Sequence, residues 1–128
     1  MKTLLTVSAV VELGAGLALV CCPSAAVAFL VGVPLEAPPA TTVVRVGGAG
    51  LFALGVACWL ASEDTQSRAA KGLAVAMLLY DIAAAVILAF AGIGGLHAVA
   101  LWLGVALHSA MAGWCVACLS RRPNKATS

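Results

Sequence analysis

Charge is what this sequence has least of. Only 9% of its 128 residues are Asp, Glu, Lys or Arg, while 63% are hydrophobic. A soluble globular domain carries about 25% charged residues, so water is excluded as the medium that most of the chain faces. The few charges collect in short segments, which leaves no polar stretch long enough for a separate soluble domain. A single transmembrane domain over residues 1–128 is therefore expected. A basic stripe is missing too: the net charge is +2 and the seven Lys and Arg are scattered, which sets aside a nucleic-acid surface. The five cysteines are an odd count, mostly inside apolar runs rather than at the loop spacings of a secreted disulfide framework. Most of them read as small buried residues.

What is present is apolar sequence in bilayer lengths. A helical span needs about 20 such residues, and the polar punctuation cuts four of them, at about 3–22, 42–61, 69–91 and 96–119. Met1-Lys2, the apolar run behind it and the stretch Ser24 to Ala28 imitate a cleavable signal peptide. Glu12 interrupts the apolar core such a signal needs, so this segment is expected to remain a span. Pro23-Ser24 stops it. The apolar piece at 25–33 is too short to cross and is expected at the interface or against the bundle mouth. Pro34, Glu36, Pro38 and Pro39 predict a rigid, non-helical connection, with Thr41 or Thr42 capping the next helix. The segment 62–68 is a polar loop, Gly92-Ile93-Gly94-Gly95 a tight turn, and 120–128 a basic tail.

The expected architecture is thus all-α, a polytopic four-helix bundle with a short interfacial segment after its first helix. Lys2, Arg68, Lys71, Arg121, Arg122 and Lys125 fall at one end, leaving Arg45 toward the other. That asymmetry predicts both termini on the cytoplasmic side, with Trp59 and Trp114 near that interface. Close helix packing through small residues is expected at Ser8, Gly14 and Gly16, at Gly47, Gly48, Gly50 and Gly55, and at Ala83 to Ala85.

Four ionisable residues fall inside the spans, where a charge costs at least about 2.5–3.5 kcal/mol on insertion scales. Glu12, Asp81 and His108 lie near the middles of the first, third and fourth spans, hence at similar depth, and Arg45 lies about one turn inside the outer end of the second. Ser8, Glu12 and Gly16 share a helical face, as do His97, Leu101, Gly104, His108, Ala112 and Cys115. Glu12, Arg45, Asp81 and His108 are therefore expected to form an intramembrane polar cluster. One reading is structural: Arg45 neutralises an acid, His108 adds a hydrogen bond, and the cluster fixes which helices are neighbours. The other is functional, with carboxyl groups out of water exchanging protons and His108 as a second carrier.

Glu, Asp and His are acceptable metal ligands, but no dense ligand motif is present and Arg45 would compete with a cation. His97 and His108 stand about three turns apart on one helix, which rules out axial ligation of one haem by both. No metal and no cofactor is expected. Cys115 and Cys118 have C-x-x-C spacing, the pattern of a redox pair or half a zinc site; without a second pair, packing is the simpler reading.

The motifs Glu12-Leu-Gly-Ala-Gly16, Cys22-Pro23-Ser24, Arg45-Val-Gly-Gly-Ala49, Leu54-Gly-Val-Ala-Cys-Trp59, Ser67-Arg68-Ala-Ala-Lys-Gly72, Leu79-Tyr80-Asp81 and Trp114-Cys115 resemble a family of small, uncharacterised bacterial four-span integral membrane proteins. The resemblance covers nearly the whole chain. It implies a bacterial inner-membrane location and the four-span bundle, and it implies no activity; at Asp81 the family's pattern has Asn. The chain is also similar in length and in Glu12 to small multidrug-resistance transporters. It departs from them in the inserted 25–39 piece and in Arg45, Asp81 and His108.

Three functions follow as expectations. The first is a non-enzymatic accessory or self-associating subunit of a membrane complex, because the loops are too short for a soluble active site; its partners are the lipid bilayer and a homo-oligomer or larger complex. The second is a proton-coupled carrier of a small solute using Glu12, and it requires an open path to that residue. The third is a membrane oxidoreductase using Cys115 and Cys118.

Overall fold

The computed structural model describes residues 1–120, in which the regular elements are all helices: α1 (Lys2–Cys21), α2 (Pro23–Val31), α3 (Pro38–Ala61), α4 (Arg68–Ile93) and α5 (Val99–Ser120). Arg121, Arg122 and Lys125 of the expected basic tail lie outside the described residues. All but α2 are long and apolar enough to cross a membrane. At about 1.5 Å per residue the shortest of these is roughly 30 Å long, the thickness of a hydrocarbon core. Large apolar side chains such as Val43, Leu60, Ile87, Phe90 and Val99 stand on the outer surface, where water would favour aggregation and lipid chains would solvate them.

The breaks between helices follow local chemistry. Pro23 disfavours helical geometry in the residue before it, and Cys22, the cap that follows α1, leaves the helix with φ −131° and ψ 57°. The short apolar piece becomes the nine-residue helix α2, opened by Pro23 and closed by Gly32 at φ +83°, a left-handed cap that glycine adopts without steric cost. The structure corrects the expectation for Pro38 and Pro39. They form the first turn of α3 rather than a non-helical connection, because a first-turn N–H has no helical partner to lose. The cap position falls to Ala37, and Thr42, instead of capping, donates from Oγ1 to the Pro38 carbonyl at 3.3 Å. Ser67 caps α4 by accepting from the Ala70 N–H at 3.1 Å. A second correction concerns α5, which starts only at Val99, after Gly95 at φ +114°. His97 is consequently off the helix and exposed.

The long helices associate as two antiparallel pairs, α1 with α3 and α4 with α5, with sparser contacts between the pairs. Glycine explains the first pairing. A Cβ on Gly16 would lie 2.5 Å from the Phe52 backbone nitrogen and 2.7 Å from the Gly48 oxygen, and one on Gly55 would lie 2.8 Å from the Leu13 nitrogen. The two backbones therefore touch, which is how helices gain contact energy when apolar burial offers little. Gly14, Gly47 and Gly50, also expected at interfaces, face open space. The pairs meet most tightly at the end that holds the N-terminus, where Leu4, Leu5, Cys58, Ala70, Met77 and Cys115 form a closed core. Toward the other end they diverge.

Candidate functional site at the divergence of the two helix pairs

One face of α1 sets the site. Ala9, Leu13 and Gly16 are committed to α3. The adjacent row, Ser8, Glu12, Ala15 and Leu19, follows the i, i+4, i+7, i+11 spacing of a single stripe; Glu12, Ala15 and Leu19 line a cavity, and Leu19 also meets Gly48 of α3. Where the pairs part, this row borders a cavity of about 520 Å³ whose walls include Leu30 of α2, Leu51 of α3, Leu88 of α4 and Leu103 of α5. Its polar lining is Glu12, Tyr80 and His108. All three come from near mid-helix and so form a floor above the closed core.

Beneath and beside that floor the polar groups are coupled. Asp81 is 1% exposed and Glu12 2%. His108 Nδ1 lies 2.8 Å from Asp81 Oδ1, and in the tautomer that pairs with a carboxylate acceptor Nδ1 is the donor. That leaves Nε2 as the ring nitrogen free to meet a ligand. The Tyr80 ring stands edge-on to His108, with centroids 5.5 Å apart and planes at 87°, and its hydroxyl lies beside the Glu12 carboxyl. Asp81 Oδ2 and Ser8 Oγ are buried with no hydrogen-bond partner among the described residues. Two carboxyl groups thus share one imidazole as their nearest basic neighbour.

Of the four residues expected to cluster, the structure brings Glu12, Asp81 and His108 together and places Arg45 apart, on the exposed surface of α3. The glycine seam explains this. Gly48 packs against Val20, so Arg45, three residues earlier, sits beyond Val20. Eight residues separate Val20 from Glu12, roughly 12 Å along the axis, and an arginine near a helix end extends toward the interface. Cys115 is buried and Cys118 half-buried; all five cysteines are free. Cys115 has Cys58 of α3 as a neighbour across the bundle and belongs to the closed core, away from the cavity. Among the described residues no group of three or more His, Cys, Asp and Glu side chains is arranged to hold a metal ion. Tyr80 is the site residue that the sequence reading passed over; its place next to Asp81, one helical position from a buried acid, was the available signal.

The Asp81–His108 contact makes a direct prediction. Asp81→Asn keeps an acceptor for Nδ1–H and should melt close to the wild type. Asp81→Ala leaves a buried imidazole N–H unpaired, a loss of about 1–3 kcal/mol, and should melt measurably lower in detergent. Equal melting of the two variants would show that the contact does not hold α4 to α5.

Compared with protein-family models, with curated proteins and with solved structures, the chain matches none. The geometry of the site therefore carries the functional reading.

Proposed function

We propose that this chain is a proton-coupled carrier of a small solute, a multi-pass protein of a bacterial inner membrane with both termini on the cytoplasmic side. The observation that supports it most is the position of Glu12: a buried acid on the floor of a cavity large enough for a small molecule, a volume within the roughly 300–1,000 Å³ of ligand pockets. An acid needed only to specify helix pairing would be packed against a partner, and the space above Glu12 would be filled. In this reading Glu12 exchanges its proton for the solute's polar group, Tyr80 and His108 offer neighbouring hydrogen bonds, and Asp81 holds the imidazole. The closed core at the N-terminal end seals the site from that side. The sparse contacts between the α1/α3 and α4/α5 pairs let the pairs rock as units, so that the seal passes from one end to the other.

The test is a flux measurement. Purified protein in vesicles containing a pH-reporting dye should move protons when a panel of small amines and alcohols is imposed as a gradient, above the rate in protein-free vesicles. Equal rates for every solute would sink the carrier reading and return the chain to the accessory-subunit reading.

A further inference from the structure

Consecutive elements usually pack on one another, but α3 and α4 are committed elsewhere, α3 to α1 and α4 to α5, and touch each other only sparsely. Beside the connection that joins them is a groove of about 480 Å³, at the end that holds the N-terminus. Ala57, Leu60 and Ala61 line it from α3, at the i, i+3, i+4 spacing of one face, and Ala69 and Leu73 line it from α4. The alanines keep it wide, and Leu60 is 68% exposed. From Ser67 to Leu73 the wall descends six residues, about 9 Å, along α4. The exposed ring of Trp59, next to Leu60 in the chain, suits the headgroup level of a bilayer.

The rim of the groove carries both signs of charge. Asp64 and Ser67 line it from the loop, and Arg68 and Lys71 stand exposed on the first turn of α4, next in sequence to lining residues. The turn is fixed, since Ser67 Oγ donates to the Asp64 carbonyl at 3.0 Å and accepts from the Ala70 N–H. Glu63 pairs with Lys2 at 3.6 Å, whereas Asp64, Arg68 and Lys71 have no ion-pair partner among the described residues. One carboxylate and two cations thus border an apolar channel.

We propose that this groove binds one molecule of phosphatidylethanolamine, with its phosphate on Arg68 and Lys71, its ammonium on Asp64 and the start of an acyl chain along Leu60 and Leu73. Arginine meets a phosphate with two parallel N–H donors, and a primary ammonium brings N–H donors to a carboxylate. Phosphatidylglycerol supplies the phosphate without a cation and sets it against Asp64. Phosphatidylcholine has a cation with no N–H to donate. Since each helix pair contributes one wall, the bound lipid also joins α1/α3 to α4/α5 at the end where the pairs close. The groove shares no lining residue with the cavity over Glu12. This inference therefore rests on the membrane-spanning reading of the chain and is independent of the carrier reading.

The experiment is native mass spectrometry of the full chain, delipidated in detergent and titrated with phosphatidylethanolamine, phosphatidylglycerol and phosphatidylcholine of identical dioleoyl chains. A single saturable adduct is expected with phosphatidylethanolamine, half-occupied at about tenfold or more lower concentration than with either other lipid, the difference that one charge-assisted contact brings. Two variants test the location. Asp64→Lys changes an exposed loop side chain whose turn is held by Ser67 and the backbone; it should fold normally and reverse the order in favour of phosphatidylglycerol, a gain that misfolding does not produce. Ala69→Trp, also at an exposed position, should fill the groove and lose the adduct with all three lipids. Equal affinity of the wild type for the three overturns the proposal, as does an unchanged order in Asp64→Lys or wild-type phosphatidylethanolamine binding by Ala69→Trp. A chain that stays monodisperse without detergent would remove the membrane reading and the lipid site with it; a chain that needs detergent and shows no headgroup preference would remove the site alone.

Discussion

Gly55→Leu is expected to leave almost no monodisperse protein. The added Cβ would stand 2.8 Å from the Leu13 backbone nitrogen and 3.1 Å from the Ala9 oxygen, and at Gly16 the corresponding clashes are with Phe52 and Gly48 backbone. Backbone atoms cannot swing aside as a side-chain tip can, so relief requires α1 and α3 to separate along their whole seam. Overpacking a well-fitted interior costs about 1–3 kcal/mol even where side chains can adjust, and here the loss should exceed that range. Detergent-solubilised protein, followed by size-exclusion chromatography, should show the peak reduced about tenfold or more, which follows once the loss exceeds the fold's own stability by about 1.4 kcal/mol. Gly14→Leu is the matched control on the same helix, because nothing lies within 4 Å of its Cβ position. If Gly55→Leu eluted as cleanly and as abundantly as Gly14→Leu, the antiparallel seam would be wrong. The register that holds Arg45 away from Glu12 would then fall with it.

Glu12→Gln should abolish solute-driven proton movement while leaving the fold intact. Glutamine matches glutamate in volume and still accepts a hydrogen bond, so neither the Tyr80 contact nor the surrounding packing is removed. What disappears is a group that can release and take up a proton within the cavity. The expected rate in vesicles is that of protein-free controls, with an unchanged chromatographic profile. Glu12→Asp should retain part of the rate, since the carboxyl survives but is drawn back by one methylene. Proton movement at the wild-type rate in Glu12→Gln would transfer the exchange to the Asp81–His108 pair or end the carrier reading, and flux in the double variant Glu12→Gln/His108→Asn separates those outcomes.

Some of this site could be read along the chain, and the reason is physical. Helix length in an apolar medium is set by local composition, and depth along a span follows from 1.5 Å per residue. Glu12, Asp81 and His108 each sit near a helix midpoint, so alternating helix directions bring them level before any packing is known. The need of a buried ionisable group for a partner then points all three inward. Arg45 was misplaced by the same reasoning. Its depth was about right, but whether it reaches Glu12 depends on the register of α3 on α1, which Gly16, Gly48 and Gly55 set through contacts between residues far apart in the sequence, such as Gly48 with Val20 and Gly55 with Ala9.

The sequence by itself determined four apolar helices, the polar breaks between them and the level at which the buried acids and the imidazole lie, because each of these is a property of neighbouring residues. Only the tertiary structure decided that α1 pairs with α3 and α4 with α5, that α2 folds against the bundle, and that a cavity opens over Glu12. A cavity is the space left where two packed pairs diverge, and such divergence depends on which helix surfaces fit most closely, a relation no single helix contains.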